Sequence, residues 1–127
     1  MGRRLILDTS VLLALYFGEP QASWALDHMQ KSRGLLSMST VNLTETLIRL
    51  RDRQPVRFVE LERQLLNSGI RFVPPDIEQA RIAAEARLRF PLNLGDCFVY
   101  ALARIESQAI LTLDSDFRCL DVAVITP

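Results

Sequence analysis

Leu5-Ile6-Leu7-Asp8-Thr9-Ser10 is a short apolar run that ends on a carboxylate and passes at once into a second apolar stretch, Val11 to Phe17. A strand apolar at every position has no face for water, so it belongs in a parallel sheet covered on both sides. The same pattern recurs along the chain. Strands are expected at Arg4 to Leu7, Leu35 to Ser37, Ile70 to Val73, Ala109 to Leu113 and Val122 to Ile125. Helical periodicity fills the intervals. One helix runs from Thr9 to near Gly18, and another starts at Pro20 and carries Trp24, Leu26 and Met29. A third is capped by Ser39 or Thr40 and stopped after Arg53 by Pro55. Three more are expected over Val56 to Asn67, from the Asp76 cap to Phe90, and over Leu94 to Glu106. Alternating elements of this kind predict a single domain over residues 1–127, an α/β fold. It is a three-layer α/β/α sandwich around a central, about five-stranded parallel sheet with right-handed crossovers.

Composition narrows the function. At 49% hydrophobic and 24% charged the chain is globular. Its fifteen basic and fifteen acidic residues cancel, so any grip on nucleic acid has to be local. Two cysteines, Cys97 and Cys119, make no disulfide framework and point to a reducing compartment. No apolar run approaches the ~18 residues of a membrane span. Met1-Gly2-Arg3-Arg4 leads into a strand and not into a signal peptide core, so the expected location is cytoplasmic.

Asp8 is one of four acidic stretches. The others are Val41-Asn42-Leu43-Thr44-Glu45, Asn93-Leu94-Gly95-Asp96-Cys97 and Leu111-Thr112-Leu113-Asp114-Ser115-Asp116-Phe117. Each has a plain structural explanation. Asp8 and Asp96 suit a helix start, Asp114 and Asp116 suit a turn, and Glu45 can pair with Arg49 one turn on. That pairing leaves Val41 and Ile48, on the same helical face as Glu45, without a reason. Ligand sites of parallel sheets lie beyond the carboxyl ends of the strands, where Asp8 and Asp114 both fall. Taken together, the acids favour one shared site. Carboxylates brought together need a cation, and an all-oxygen set suits Mg²⁺ or Mn²⁺ and phosphodiester chemistry. The only histidine, His28, is in the second helix, away from the acids, so zinc is disfavoured. Ser10 and Thr112 stand beside acids near strand ends, where a hydroxyl can orient a carboxylate or a water. Arg49 and Arg53 follow Glu45 at intervals of four and are candidates for phosphate contact.

In order and spacing, these four stretches resemble the PIN domain, and most of all its VapC-type toxins; Asn93 to Ala103 is the stretch most like that group. The resemblance spans nearly the whole chain. It implies a metal-dependent ribonuclease with catalytic acids at Asp8, Glu45, Asp96 and Asp114, and metal ligands drawn from Asp8, Asp96, Asp114 and Asp116. It also implies RNA as substrate, products with 5′-phosphate and 3′-hydroxyl ends, a homodimer, and a small antitoxin that blocks the site. Two classes of alternative use an Asp at a strand end. Receiver domains and dehalogenase-like phosphotransferases need a lysine near the site, and Lys31, the only lysine, lies after the second helix. The chain has no Gly-rich loop for a P-loop NTPase. A PIN-like module that binds RNA or a partner without cutting is the remaining alternative.

Overall fold

The computed structural model describes residues 2–127. Its five strands are β1 (Leu5–Leu7), β2 (Leu36–Ser39), β3 (Arg71–Val73), β4 (Ala109–Leu111) and β5 (Val124–Ile125). They form one sheet in the order β3-β2-β1-β4-β5, with every pairing parallel. Six α-helices connect them: α1 (Thr9–Phe17), α2 (Ala22–Lys31), α3 (Thr40–Arg53), α4 (Phe58–Leu66), α5 (Ile77–Arg89) and α6 (Leu94–Glu106).

Alternation along β1 divides the core in two. Leu5 and Leu7 face a cluster made with α1 to α4, including Val11, Leu12, Leu50, Phe58, Leu61 and Leu65. Ile6 points the other way, into α5 and α6, among Ala83, Val99, Tyr100 and Leu102. The three layers expected from the sequence are present. Several helix boundaries have a local cause. Gly18 adopts a left-handed conformation (φ 63°) to end α1, and the side chains of Ser39, Asp76 and Asn93 cap α3, α5 and α6.

Several boundaries differ from the expectation. β4 ends at Leu111 and not Leu113, because the Leu113 N–H leaves the ladder and donates to Ser10 Oγ at 3.0 Å. A short 3₁₀ turn, Ser115–Cys119, follows it, with the Asp114 side chain capping the turn and Phe117 buried within it. β5 begins at Val124 and not Val122, and Asp121 just before it is tied to Tyr100, Arg89 and Arg104. Both cysteines are free, Cys97 buried and Cys119 exposed. Among the described residues no helix is long and apolar enough to cross a membrane.

The order of the strands decides where a site can be. From β1 the chain winds outward through β2 to β3, then returns to the other side of β1 for β4. The reversal opens a crevice between the carboxyl ends of β1 and β4. Asp8 follows β1 directly, and Asp114 lies three residues beyond β4.

Candidate active site at the carboxyl edge of the sheet

Asp8, Glu45, Asp96 and Asp114 all border one cleft of about 370 Å³, together with Thr9, Ser10, Leu13, Ile48, Arg49 and Asn93. A larger groove lies elsewhere, against Arg3, Arg104, Ser107 and Asp121, and holds none of the four acids. The acidic cleft is the one at the topological switch point, and its chemistry makes it the candidate site.

Asp8 occupies the position before α1, yet its side chain makes no capping bond. Its Oδ2 instead accepts from the hydroxyls of Ser10 at 2.7 Å and Thr112 at 2.8 Å. Those hydroxyls also accept backbone N–H groups, Ser10 from Leu113 and Thr112 from Asp114 at 3.0 Å. The carboxylate at the end of β1 is thereby pinned to the chain leaving β4. Burial to 4% exposure pushes the Asp8 pKa up, the two hydroxyl bonds pull it back, and the Asp114 and Glu45 charges raise it again.

Asp96 lies in the first turn of α6, but Asn93 is the cap there, accepting the Asp96 N–H at 2.8 Å. The Asp96 carboxyl is pushed up to about 7, first by burial and then by the charge of Asp8, with Asp114 and Glu45 adding to it. Glu45 does not pair with Arg49. Its Oε1 accepts from Thr9 Oγ1 at 2.9 Å and Asn42 Nδ2 at 3.0 Å. Asp114 caps the 3₁₀ turn, Oδ1 accepting the Asp116 N–H at 2.9 Å. The turn-forming explanation for Asp114 thus holds alongside its place in the cleft.

Three candidates lie outside the cleft wall, Thr112 among them, fully buried and bonded to Asp8. Asp116 is exposed and does not border it. Arg53 projects over the Phe17 ring, 4.1 Å from its centroid, while Arg49 does border the cleft. The His28 ring lies tilted against Trp24, centroids 4.4 Å apart, and does not border the cleft.

The residues that sequence reasoning did not single out are Thr9, Asn42, Asn93 and Gly95. Asn42 is fully buried and donates both to Glu45 and to the Gly95 carbonyl, the latter at 3.1 Å. Its Oδ1 is buried without a hydrogen-bond partner, an arrangement that costs about 1–3 kcal/mol. At Gly95 a Cβ would fall inside the Glu45 carboxylate. The spacing of Asn42 and Glu45, one helical turn apart, was the available signal.

The donor chemistry fits a hard divalent cation. Four carboxylates and two hydroxyls offer oxygen, and burial, with the neighbouring carboxylates adding to it, raises the Asp8 and Asp96 pKa values, so a positive charge would be welcome there. Among the described residues no three acidic, histidine or cysteine side chains close around one point. Mg²⁺ tolerates that, since it keeps several waters and needs only one or two protein carboxylates.

A parallel α/β sandwich with four carboxylates bordering one cleft at its switch point places the chain in a class of α/β domains whose donor set suits a divalent cation. The PIN domain model matches residues 5–123. The chain belongs to the PIN domain family. It is 34% identical over 130 residues to Ribonuclease VapC of Mycolicibacterium smegmatis, an alignment covering 95% of this chain and 99% of that protein. Among solved structures it resembles Mycobacterium tuberculosis VapC20, described as a sarcin–ricin loop cleaving toxin. The TM-score is 0.82 at 20% identity, over 97% of this chain and 99% of that one. A toxin–antitoxin complex from Klebsiella pneumoniae aligns with a TM-score of 0.76 at 20% identity, over 97% of both chains.

Proposed function

We propose that the chain is a Mg²⁺- or Mn²⁺-dependent endoribonuclease, the toxin of a toxin–antitoxin pair. The observation that carries this reading is the meeting of Asp8, Glu45, Asp96 and Asp114 in one cleft at the switch point of a PIN fold, with the relatives named as ribonucleases. In this reading one or two of Asp8, Asp96 and Asp114 would hold the cation directly and the others would reach it through its waters. Asp116, exposed on the 3₁₀ turn, acts on it only at a distance. When bound, the ion makes a water acidic enough to attack at neutral pH and offsets charge on the phosphate.

The chain's own residues do the remaining work. Ser10 and Thr112 keep Asp8 in one orientation by donating to the same oxygen. Glu45 is fixed from the α3 side by Thr9 and Asn42. Arg49, free of any ion pair with Glu45, binds a phosphate flanking the scissile bond. Leu13 and Ile48 supply the apolar part of the wall. RNA as the substrate and a small antitoxin as the partner rest on the relatives and on the solved toxin–antitoxin complexes. A homodimer is also part of the reading, formed through the exposed stripe of α5 and the start of α6.

Incubating the purified protein with RNA tests this directly. Cleavage should require Mg²⁺ or Mn²⁺, stop in EDTA, and disappear in Asp8→Asn. Undiminished cleavage in EDTA, with no metal retained by mass spectrometry, would falsify the metal-dependent mechanism. RNA binding without cleavage in any divalent cation would leave the non-cutting module.

A further inference from the structure

Among the four acids bordering the cleft, Glu45 alone is held by an amide. Asn42 precedes it by one turn on α3 and is fully buried. A single Nδ2 donates to Glu45 Oε1 at 3.0 Å and to the Gly95 carbonyl at 3.1 Å. One side chain thus joins an acid on α3 to the first turn of α6, which also carries Asp96. Thr9 at the start of α1 completes the attachment, its hydroxyl reaching Glu45 Oε1 and the Asn42 carbonyl. Across from the amide, the space where Gly95 would carry a Cβ is taken by the Glu45 carboxylate.

Neither packing nor helix propensity favours Asn at this position. Asn is a middling helix former that competes for backbone hydrogen bonds. Its Oδ1 here is buried with no partner. An aliphatic residue would serve the α3–α6 contact better on both counts, and such local inconsistencies concentrate at functional sites.

We propose that Asn42 is a positioning residue of the reaction: it clamps the Glu45 carboxylate against Gly95 and so fixes the spacing between Glu45 and Asp96. Asn42 does not border the cleft itself and acts only through Glu45. The proposal rests on the reading of the cleft as a nuclease site.

The test is a double-mutant cycle with Asn42→Leu, Glu45→Ala and the double variant, in the full chain. Alone, Asn42→Leu should lower kcat about a hundredfold, the scale of a small misplacement of a catalytic group, and leave KM for RNA within about twofold. In the Glu45→Ala background it should cost less than about twofold. A purely structural role gives the same loss in both backgrounds. Urea denaturation of the same four proteins in EDTA supplies a readout that needs no activity, and the two substitutions should be non-additive there. If the wild type cleaves nothing, the nuclease reading fails and the denaturation cycle alone judges the clamp. Asn42→Ala replaces the leucine variant if that one does not fold. Additive effects on both kcat and stability overturn the proposal.

Discussion

A carboxylate at a helix start is ordinarily a cap, and at Asp8 only the side-chain bonds distinguish the two uses. Both of its side-chain partners are hydroxyls of the site, so Asp8→Asn should abolish cleavage with little change in the content of α1, measured by circular dichroism. Asp96 makes a prediction about pH. Its folded-state pKa is raised from 3.8 to about 7, so between those values the folded protein holds a proton that the unfolded chain has released. Stability contributed by that proton is present at low pH and is lost as pH rises through about 7. In EDTA, Tm should therefore fall from pH 5 to pH 8, and Asp96→Asn should flatten the fall and raise Tm at pH 8. A steeper fall in the variant would show that Asp96 is not the group responsible. Asp114 and Asp116 should be unequal: Asp114→Asn should cost at least tenfold more activity in a Mn²⁺ titration, of the order seen for displaced ligands or their supports. The reason differs from the one sequence supplied. Asp114 is not at the strand end but is held by its N–H bond to Thr112 and its cap on the following turn. All four cleft acids were legible in sequence because each interrupts an apolar pattern. Asn42 was legible only as a polar neighbour one turn before Glu45, since a polar residue inside a helix does not reveal which groups its amide will meet.

At the scale of elements, the start of α6 carries the tightest constraint. Gly95 packs against the end of a flexible side chain, so a methyl group there moves Glu45 before it moves backbone. Gly95→Ala should lower cleavage by about a hundredfold while shifting Tm by only a few degrees, and a large Tm loss would mean that the backbone gives way first. Helices were well placed by sequence, because Ser39, Asp76, Gly18 and the prolines mark their ends with local chemistry. Strand ends were less legible. Where β4 stops depends on a hydroxyl 103 residues away in sequence, and no local pattern around Leu113 records that bond.

For the whole molecule, alternation of apolar strands and amphipathic helices was sufficient to predict the sandwich, while the surface it leaves was not. Counting large apolar residues on the second and fourth helices, Trp24, Phe58, Leu61 and Leu65, suggests a surface available to a partner. In the folded chain Phe58, Leu61 and Leu65 are core residues and Trp24 packs against them. Exposed apolar residues remain on those helices, Leu26 on α2 and Val59 and Leu66 on α4, and a second set stands on α5 and the start of α6, where Ile77, Leu88 and Leu94 are 80%, 88% and 71% exposed. If a dimer forms, this stripe is its face, and Leu88→Glu should shift sedimentation from dimer to monomer at micromolar concentration. A wild-type monomer would remove the dimer from the reading. The central place of β1 has a further consequence, for synthesis. Asp8 leaves the ribosome 104 residues ahead of Thr112, which anchors it. Until β4 has emerged and slotted in beside β1, a growing chain holds the acids apart on an unfinished sheet. A cell making such an enzyme would be exposed to it only once β4 has been translated, and a message broken before that point would yield a fragment without the assembled cleft.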